Sequence, residues 1–382
     1  MKENINITVN YKVLVWARET IVMTRTSASN KTGIPINRLV QLEEGERLPT
    51  LEEVKELSKA YKRTIATLLL NTPPKEKPLP KDRRTVNSSN VGNFHEKTIM
   101  AIRKARSLVS SLIELKQDAG IMIPRFQYKA NLQDNPVMLA NKLREELNLG
   151  EIRHYENINS ALEAYIEKVE SLGVAVFQLS LTQDSLRGFS IVDESMPIIG
   201  IKGGGEPPTA KTFTLFHEFA HIILNEGGLC DLSENTNQHI EKWCNAFAAE
   251  ILVPTSELIR MDIVVDKYLK KDKIWSKNDL IKLGNHFHVG PLTILRRLLD
   301  NKRTTPQYYN NRHEAWNKPQ FGRSKNPEGR NIAKETIKEK GKTYISLAFS
   351  AFDQNRIDIK DLSDFLGVNF SYINKTRQLL NT

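Results

Sequence analysis

The sequence predicts an α+β protein: an all-α bundle at the N-terminus, a central domain with a small three-stranded sheet beside several helices, and a helical C-terminal region. Three observations carry this reading. Apolar residues recur near 3.6-residue spacing over most of the chain. Between residues 173 and 201 that period gives way to short runs rich in Val, Ile and Phe, separated by turn residues. Two polar, proline-rich stretches, 71–80 and 303–330, interrupt the pattern and read as linkers. At 382 residues two or three domains are expected. The chain is divided accordingly into residues 1–75, a linker and helical segment at 76–148, residues 149–300, and a basic helical region at 301–382.

Taken in order, residues 13–70 place Leu39, Leu42, Val54, Leu57, Ile65 and Leu68 at helical spacing, as a small bundle requires. Helices are predicted over 94–115, 137–149 and 158–169. Residues 173–181 (GVAVFQLSL), 188–192 and 197–201 read as the three strands. Helices resume over 212–225, 236–252, 256–268, 277–286 and 291–299. Near the end, residues 362–380 (LSDFLGVNFSYINKTRQLL) carry a small-x-x-x-Gly arrangement through Ser363 and Gly367. A packing hairpin is the simpler reading of so short a segment.

Composition excludes several classes. No apolar run approaches the roughly 20 residues a membrane span needs, and the polar start lacks a signal-peptide core. A cytoplasmic protein is expected. Cys230 and Cys244 are too few for a disulfide framework, so thiols in a reducing compartment are expected. The net charge of +10 is uneven: residues 1–90 hold 16 Lys+Arg against 10 Asp+Glu, residues 301–382 hold 15 against 8, and the middle is slightly acidic. Basic ends can engage phosphate backbones, although a solvated Lys-rich surface reads the same way.

Residues 217–221 read His-Glu-Phe-Ala-His inside an apolar helical pattern. Positions four apart share a helix face, so His217 and His221 can aim two imidazoles at one ion, with Glu218 beside it. Two imidazoles and a carboxylate suit zinc and leave a fourth position open to water, for which Glu218 would be the general base. The pentapeptide alone is a moderate signal. A second helix about 20 residues on carries Glu241, Asn245, Ala248 and Ala249 at helical spacing, and Glu241 can supply the third ligand. Glu250 competes, but lies farther along that helix and close to Pro254. His286 and His288 read as surface or structural, Cys244 as a small buried thiol. His239 could donate to an oxyanion, though spacing does not assign it.

HEFAH at 217–221, followed by EKWCNAFAAEILVP at 241–254, resembles the ImmA/IrrE family of bacterial and phage metallopeptidases, whose pattern is HExxH and then E-x-x-(A/C)-N-x-F-A-A-x-x-L-x-P. The resemblance extends over roughly residues 149–299 and implies a zincin-like domain with Glu241 as third zinc ligand. It also implies an endopeptidase whose protein substrate is a helix-turn-helix repressor, cleaved to release stress-response or mobile-element genes. Extended substrate would add to a sheet edge above the metal helix, with residues 197–201 the best candidate edge and an interior strand the alternative.

Residues 13–70 resemble a Cro/cI-type (XRE) helix-turn-helix domain through Ser29, Gly33, Leu39, Leu42 and the EEGERLPT run at 43–50. The resemblance implies that the second helix enters the major groove of duplex DNA, with Ile36, Asn37, Arg38 and Gln41 near base edges. Pro35 departs from the usual capping Ser or Thr, and Glu43, Glu44 and Glu46 bring acid near phosphate. A protein-binding scaffold is the competing reading of this module. For the whole chain the alternative is a DNA-binding regulator or antitoxin with a non-catalytic zinc site, against which the intact Glu218 argues.

Overall fold

The computed structural model describes residues 6–82, 94–181, 186–230, 239–317 and 331–380. They form two compact units: Met1–Leu79 with Gly92–Met100, and Pro80–Val91 with Ala101–Thr382.

The first unit contains α1 (Tyr11–Glu19), α2 (Arg25–Thr32), α3 (Ile36–Glu44), α4 (Leu51–Tyr61) and α5 (Ile65–Leu68). Side chains of Asn10, Thr24, Thr50 and Thr64 cap the starts of α1, α2, α4 and α5, satisfying amide groups that have no partner within the helix. α3 starts at Pro35 without a side-chain cap. The predicted apolar set, Leu39, Leu42, Val54, Leu57 and Leu68, lies in the core with Leu14 and Ala28, whereas Ile65 is exposed. Glu43 departs from its expected place near phosphate. It is buried, accepting from Arg18 Nε at 2.7 Å and Arg25 Nε at 2.8 Å, and it holds α3 against the first two helices.

The second unit follows with β1 (Lys81–Asp82), the part of α6 (Glu96–Asp118) from Ala101 on, α7 (Pro136–Glu146), a 3-10 turn (Leu149–His154) and α8 (Ile158–Glu170). Next come β2 (Ala175–Leu179), β3 (Gly188–Ile191), β4 (Ile198–Lys202), α9 (Pro208–Ile223), β5 (Gly228–Cys230) and α10 (His239–Leu252). Then α11 (Thr255–Leu258), α12 (Asp262–Leu269), α13 (Lys277–Phe287), α14 (Pro291–Asp300) and α15 (Pro306–Asn317). α16 (Ile332–Lys340), α17 (Lys342–Asp353), α18 (Ile359–Leu366) and α19 (Phe370–Leu380) close the chain.

The three predicted strands are β2, β3 and β4, and two shorter strands extend the sheet beyond β3 in the order β1-β5-β3-β4-β2. β3 runs antiparallel to both β4 and β5, while β2 pairs parallel with β4. β4 is therefore interior, hydrogen-bonded on both sides. That corrects the candidate substrate edge at 197–201, which cannot accept an added strand because its backbone groups are already used. Two other expectations change. The stretch 303–330 contains α15 at Pro306–Asn317, where Tyr309 reaches the core, with 318–330 outside the described residues. The helix predicted over 256–268 is broken between α11 and α12.

One core joins α8, α9, α10 and the sheet. Phe216 and Phe219 of α9 and Phe247 of α10 are fully buried, each contributing about 1.5–3 kcal/mol of transfer free energy. Phe216 meets Tyr165 of α8 edge-on. Ala220 and Ala248 are fully buried, and such small side chains let α9 and α10 approach closely. On the other side β3 lies directly on α9. A Cβ at Gly188 would stand 2.6 Å from Thr214 Cγ2 and 3.1 Å from Glu218 Cγ, so only glycine permits this approach.

Candidate metal centre

The helix carrying His217 is fixed near its start. Lys211, in its first turns, donates from Nζ to Gln178 Oε1 at 2.9 Å and to the Gly203 carbonyl at 2.5 Å, tying α9 to β2 and to the loop after β4. Two turns on, His217, Glu218 and His221 are all fully buried.

His217 Nε2 stands 3.1 Å from Glu241 Oε2, His221 Nε2 stands 3.4 Å from Glu241 Oε1, and the two Nε2 atoms are 3.2 Å apart. Donors bound roughly 2.0–2.2 Å from a tetrahedral zinc stand about 3.3–3.6 Å from one another. The three separations match that spacing to within a few tenths of an ångström, and the donor set of two imidazoles and one carboxylate suits the ion. Among the described residues these three are the one His/Cys/Asp/Glu cluster with metal-ligand geometry. Burial pushes the Glu241 carboxyl up, but hydrogen bonds and charge from His217 and His221 outweigh it and hold the group well below the usual carboxylate range. Glu241 is thus a carboxylate, as a ligand must be.

Glu250 is committed elsewhere. Its carboxylate accepts from Thr255 N at 3.0 Å, Thr255 Oγ1 at 2.8 Å and Asn141 Nδ2 at 3.2 Å, and it pairs with Arg297 Nη2. That network ties the end of α10 to α7, α11 and α14.

Asn245 was legible only as one of several positions at helical spacing. Its Oδ1 stands 3.0 Å from His217 Nδ1, so with the proton on Nδ1 the imidazole donates to the amide and turns Nε2 toward Glu241. Its place four residues after Glu241, on the same face, is the signal that could have given this role.

Glu218 points differently from the ligands. Among the described residues neither of its carboxylate oxygens has a hydrogen-bond partner. Burial pushes its carboxyl well up and the charge of Glu241 raises it further, while the Ser190 hydroxyl of β3 stands near enough to favour the ionised form without meeting hydrogen-bond geometry. A buried, uncommitted carboxyl beside a cluster of metal donors is placed to take and return a proton.

The remaining histidines lie outside the cluster. His239 is the exposed first residue of α10, His286 is exposed with its ring edge-on to Phe287, and His288 ends α13 in the left-handed conformation at φ 53°. Cys244 is a buried thiol, and the side chain of Cys230 lies outside the described residues. The four candidate DNA contacts sit on α3 of the other unit. Ile36 and Asn37 are exposed and Gln41 is half-buried. Arg38 is engaged within its own unit, donating from Nε and Nη2 to the two oxygens of Glu53 at 2.8 and 2.9 Å and to the Leu48 carbonyl at 2.9 Å.

Residues 169–299 match the Peptidase_M78 family model, an IrrE N-terminal-like domain. The match spans less than half of the chain and reaches from the end of α8 into α14, taking in the three clustered donors and Glu218. It supports the ImmA/IrrE family and a metallopeptidase role for this segment. A comparison with curated proteins finds none that matches the chain.

Proposed function

We propose that this chain is a zinc-dependent endopeptidase, acting in the cytoplasm, that cleaves a helix-turn-helix transcriptional repressor and so derepresses stress or mobile-element genes. The observation that carries the reading is the buried cluster of His217, His221 and Glu241 at tetrahedral donor spacing, with the uncommitted Glu218 adjoining it. Zinc, when bound there, supplies a Lewis acid that polarises a peptide carbonyl and acidifies water. The chain's own residues do the rest. His217 and His221 would present Nε2 to the ion, Asn245 holds the first ring in its orientation, and Glu241 supplies negative charge. Glu218 takes the proton from the attacking water on a carboxylate oxygen and delivers it to the leaving amine nitrogen.

A free peptidase must avoid general proteolysis, so selectivity has to come from docking or from a transiently extended substrate segment. The N-terminal unit supports docking on duplex DNA shared with the target, through Ile36, Asn37 and Gln41 of α3. Arg38 contributes there only if its fork with Glu53 opens. The test mixes the zinc-loaded protein with repressors encoded beside its gene, compares Glu218→Gln, and maps fragments by mass. One or two cuts outside the repressor's folded DNA-binding core, absent with Glu218→Gln, are expected. Intact repressor alongside efficient degradation of unrelated unfolded protein contradicts the reading.

A further inference from the structure

The hairpin of α18 and α19 reproduces, residue for residue, the arrangement of α2 and α3. Both first helices have eight residues, and α3 and α19 start at the same distance beyond them. Gly33 and Gly367 end the first helices in the left-handed conformation, at φ 71° and 65°. Ser29 Oγ donates to the Ile34 carbonyl at 2.7 Å, and Ser363 Oγ donates to the Val368 carbonyl at 2.6 Å. The buried positions agree as well: Ile34 with Val368, Leu39 with Ile373 and Leu42 with Thr376.

The turn alone does not identify a reader, because Ser58 builds the same turn between α4 and the four-residue α5. What sets α19 apart is its length of eleven residues and its outward face. The α3 positions Ile36, Asn37 and Gln41 correspond to Phe370, Ser371 and Lys375, and all three are exposed, Phe370 to 58%. Asn374 is exposed beside them. α19 has no acidic residue. The acids of the hairpin sit at the start of α18 or along it, where Asp358 and Asp361 close its capping box. Arg377 is held inward, paired with Asp353 at 2.6 Å and lying over the Phe349 ring, so α19 is anchored without using its outer side chains.

We propose that α18 and α19 form a second duplex-DNA reader in this chain, with α19 entering the major groove. The B-form major groove admits a helix, whereas the deep, narrow major groove of RNA does not. Asn374 and Ser371 supply hydrogen bonds to base edges, Phe370 an apolar contact to a thymine methyl, and Lys375 a charge for base or phosphate. The hairpin itself balances Lys360, Lys375 and Arg377 against Asp358, Asp361 and Asp364, so the electrostatic attraction to this polyanion comes from Lys375 on the acid-free face of α19. The inference is independent of the peptidase reading, since it uses no residue of the metal cluster.

The test uses the full chain and a pool of random duplexes. Bound duplexes are selected and sequenced, and affinity for a selected duplex is followed against salt. Selected duplexes should carry two sequence blocks. Asn374→Ala with Lys375→Ala should erase one block, weaken binding about tenfold and reduce the salt slope by about one. Asn37→Ala with Gln41→Ala should erase the other. Both substituted pairs leave the buried positions intact, and an unchanged melting curve verifies the fold. Lys375→Glu gives a second check, with a larger loss of affinity at low salt. Unchanged affinity, salt slope and selected sequence in both α19 variants overturn the proposal, and identify that face as a protein-docking or solvent surface.

Discussion

At Glu218 a carboxyl group is kept out of water with no hydrogen bond to any described residue, an arrangement that disfavours its charged form. Replacing it by glutamine preserves shape and removes the base. Glu218→Gln is expected to keep full metal content and lose turnover by about 10²–10⁴-fold, measured as repressor cleavage with metal analysis of the same sample. Asn245→Ala removes the group that orients His217 rather than a ligand. Metal should still bind, about 10–100-fold more weakly, in a competition titration with a chelator. Affinity equal to wild type would place Asn245 outside the metal's support. Gly188→Ala puts a methyl into Thr214 and Glu218, so kcat should fall more than metal affinity. These residues differ in how far the sequence exposes them. His217, Glu218 and His221 are neighbours along one helix, and local spacing puts the two histidines on one face with Glu218 beside it. Gly188 and Ser190 meet Glu218 only because a strand some thirty residues earlier lies on α9, which no local pattern records.

Among the elements, the helices bearing the site were legible because the metal donors themselves recur at helical spacing within apolar runs, even though α9 is buried at every position from Thr214 to Ile223. β5 and β1 were not, since three- and two-residue strands exist only through long-range pairing. The candidate edge at 197–201 failed for the same reason: neighbour order in a sheet is set by the whole topology. The resemblance to a helix-turn-helix domain placed Arg38 and Glu43 near DNA, yet partners on other helices claim both. The clearest consequence at this scale is the pairing of Glu250 with Arg297, which pins the end of α10 against α14. Arg297→Met leaves a buried carboxylate without its cation, and should destabilise the protein by about 3–5 kcal/mol in urea unfolding. Replacing both partners with apolar residues should recover much of that loss. Equal losses in the single and double variants would show that the pair does not hold α10.

Over the whole molecule, the C-terminal helices reach back to the layer that carries the metal-donor cluster through Glu170 at the end of α8, which accepts from Thr343 Oγ1 of α17 at 2.8 Å. Glu170 as a residue is only partly buried, but burial of its carboxyl end pushes it up to about 7 despite the Thr343 bond. Its unfolded value is near 4.5. A carboxyl raised on folding gives stability that is present in full below the unfolded value and is lost as pH rises through the folded one. Wild-type stability should therefore decline between about pH 4.5 and pH 7, by on the order of 3 kcal/mol from this group. Glu170→Gln should flatten that decline in unfolding midpoints, while an identical slope in the variant would assign the dependence to other groups. No sequence pattern announced this link, because it joins residues far apart in the chain through one half-buried hydroxyl.

The central claim is that three particular side chains hold one metal ion, and metal stoichiometry tests it most directly. Purified protein, Glu218→Gln and Glu241→Ala are each equilibrated with limiting zinc, dialysed, and analysed for metal per chain, with folding checked by circular dichroism. The account predicts one zinc per chain in the first two and little or none in Glu241→Ala, all three being folded. Full zinc retained in folded Glu241→Ala would contradict it, because the cluster of His217, His221 and Glu241 would then not be the site that holds the ion.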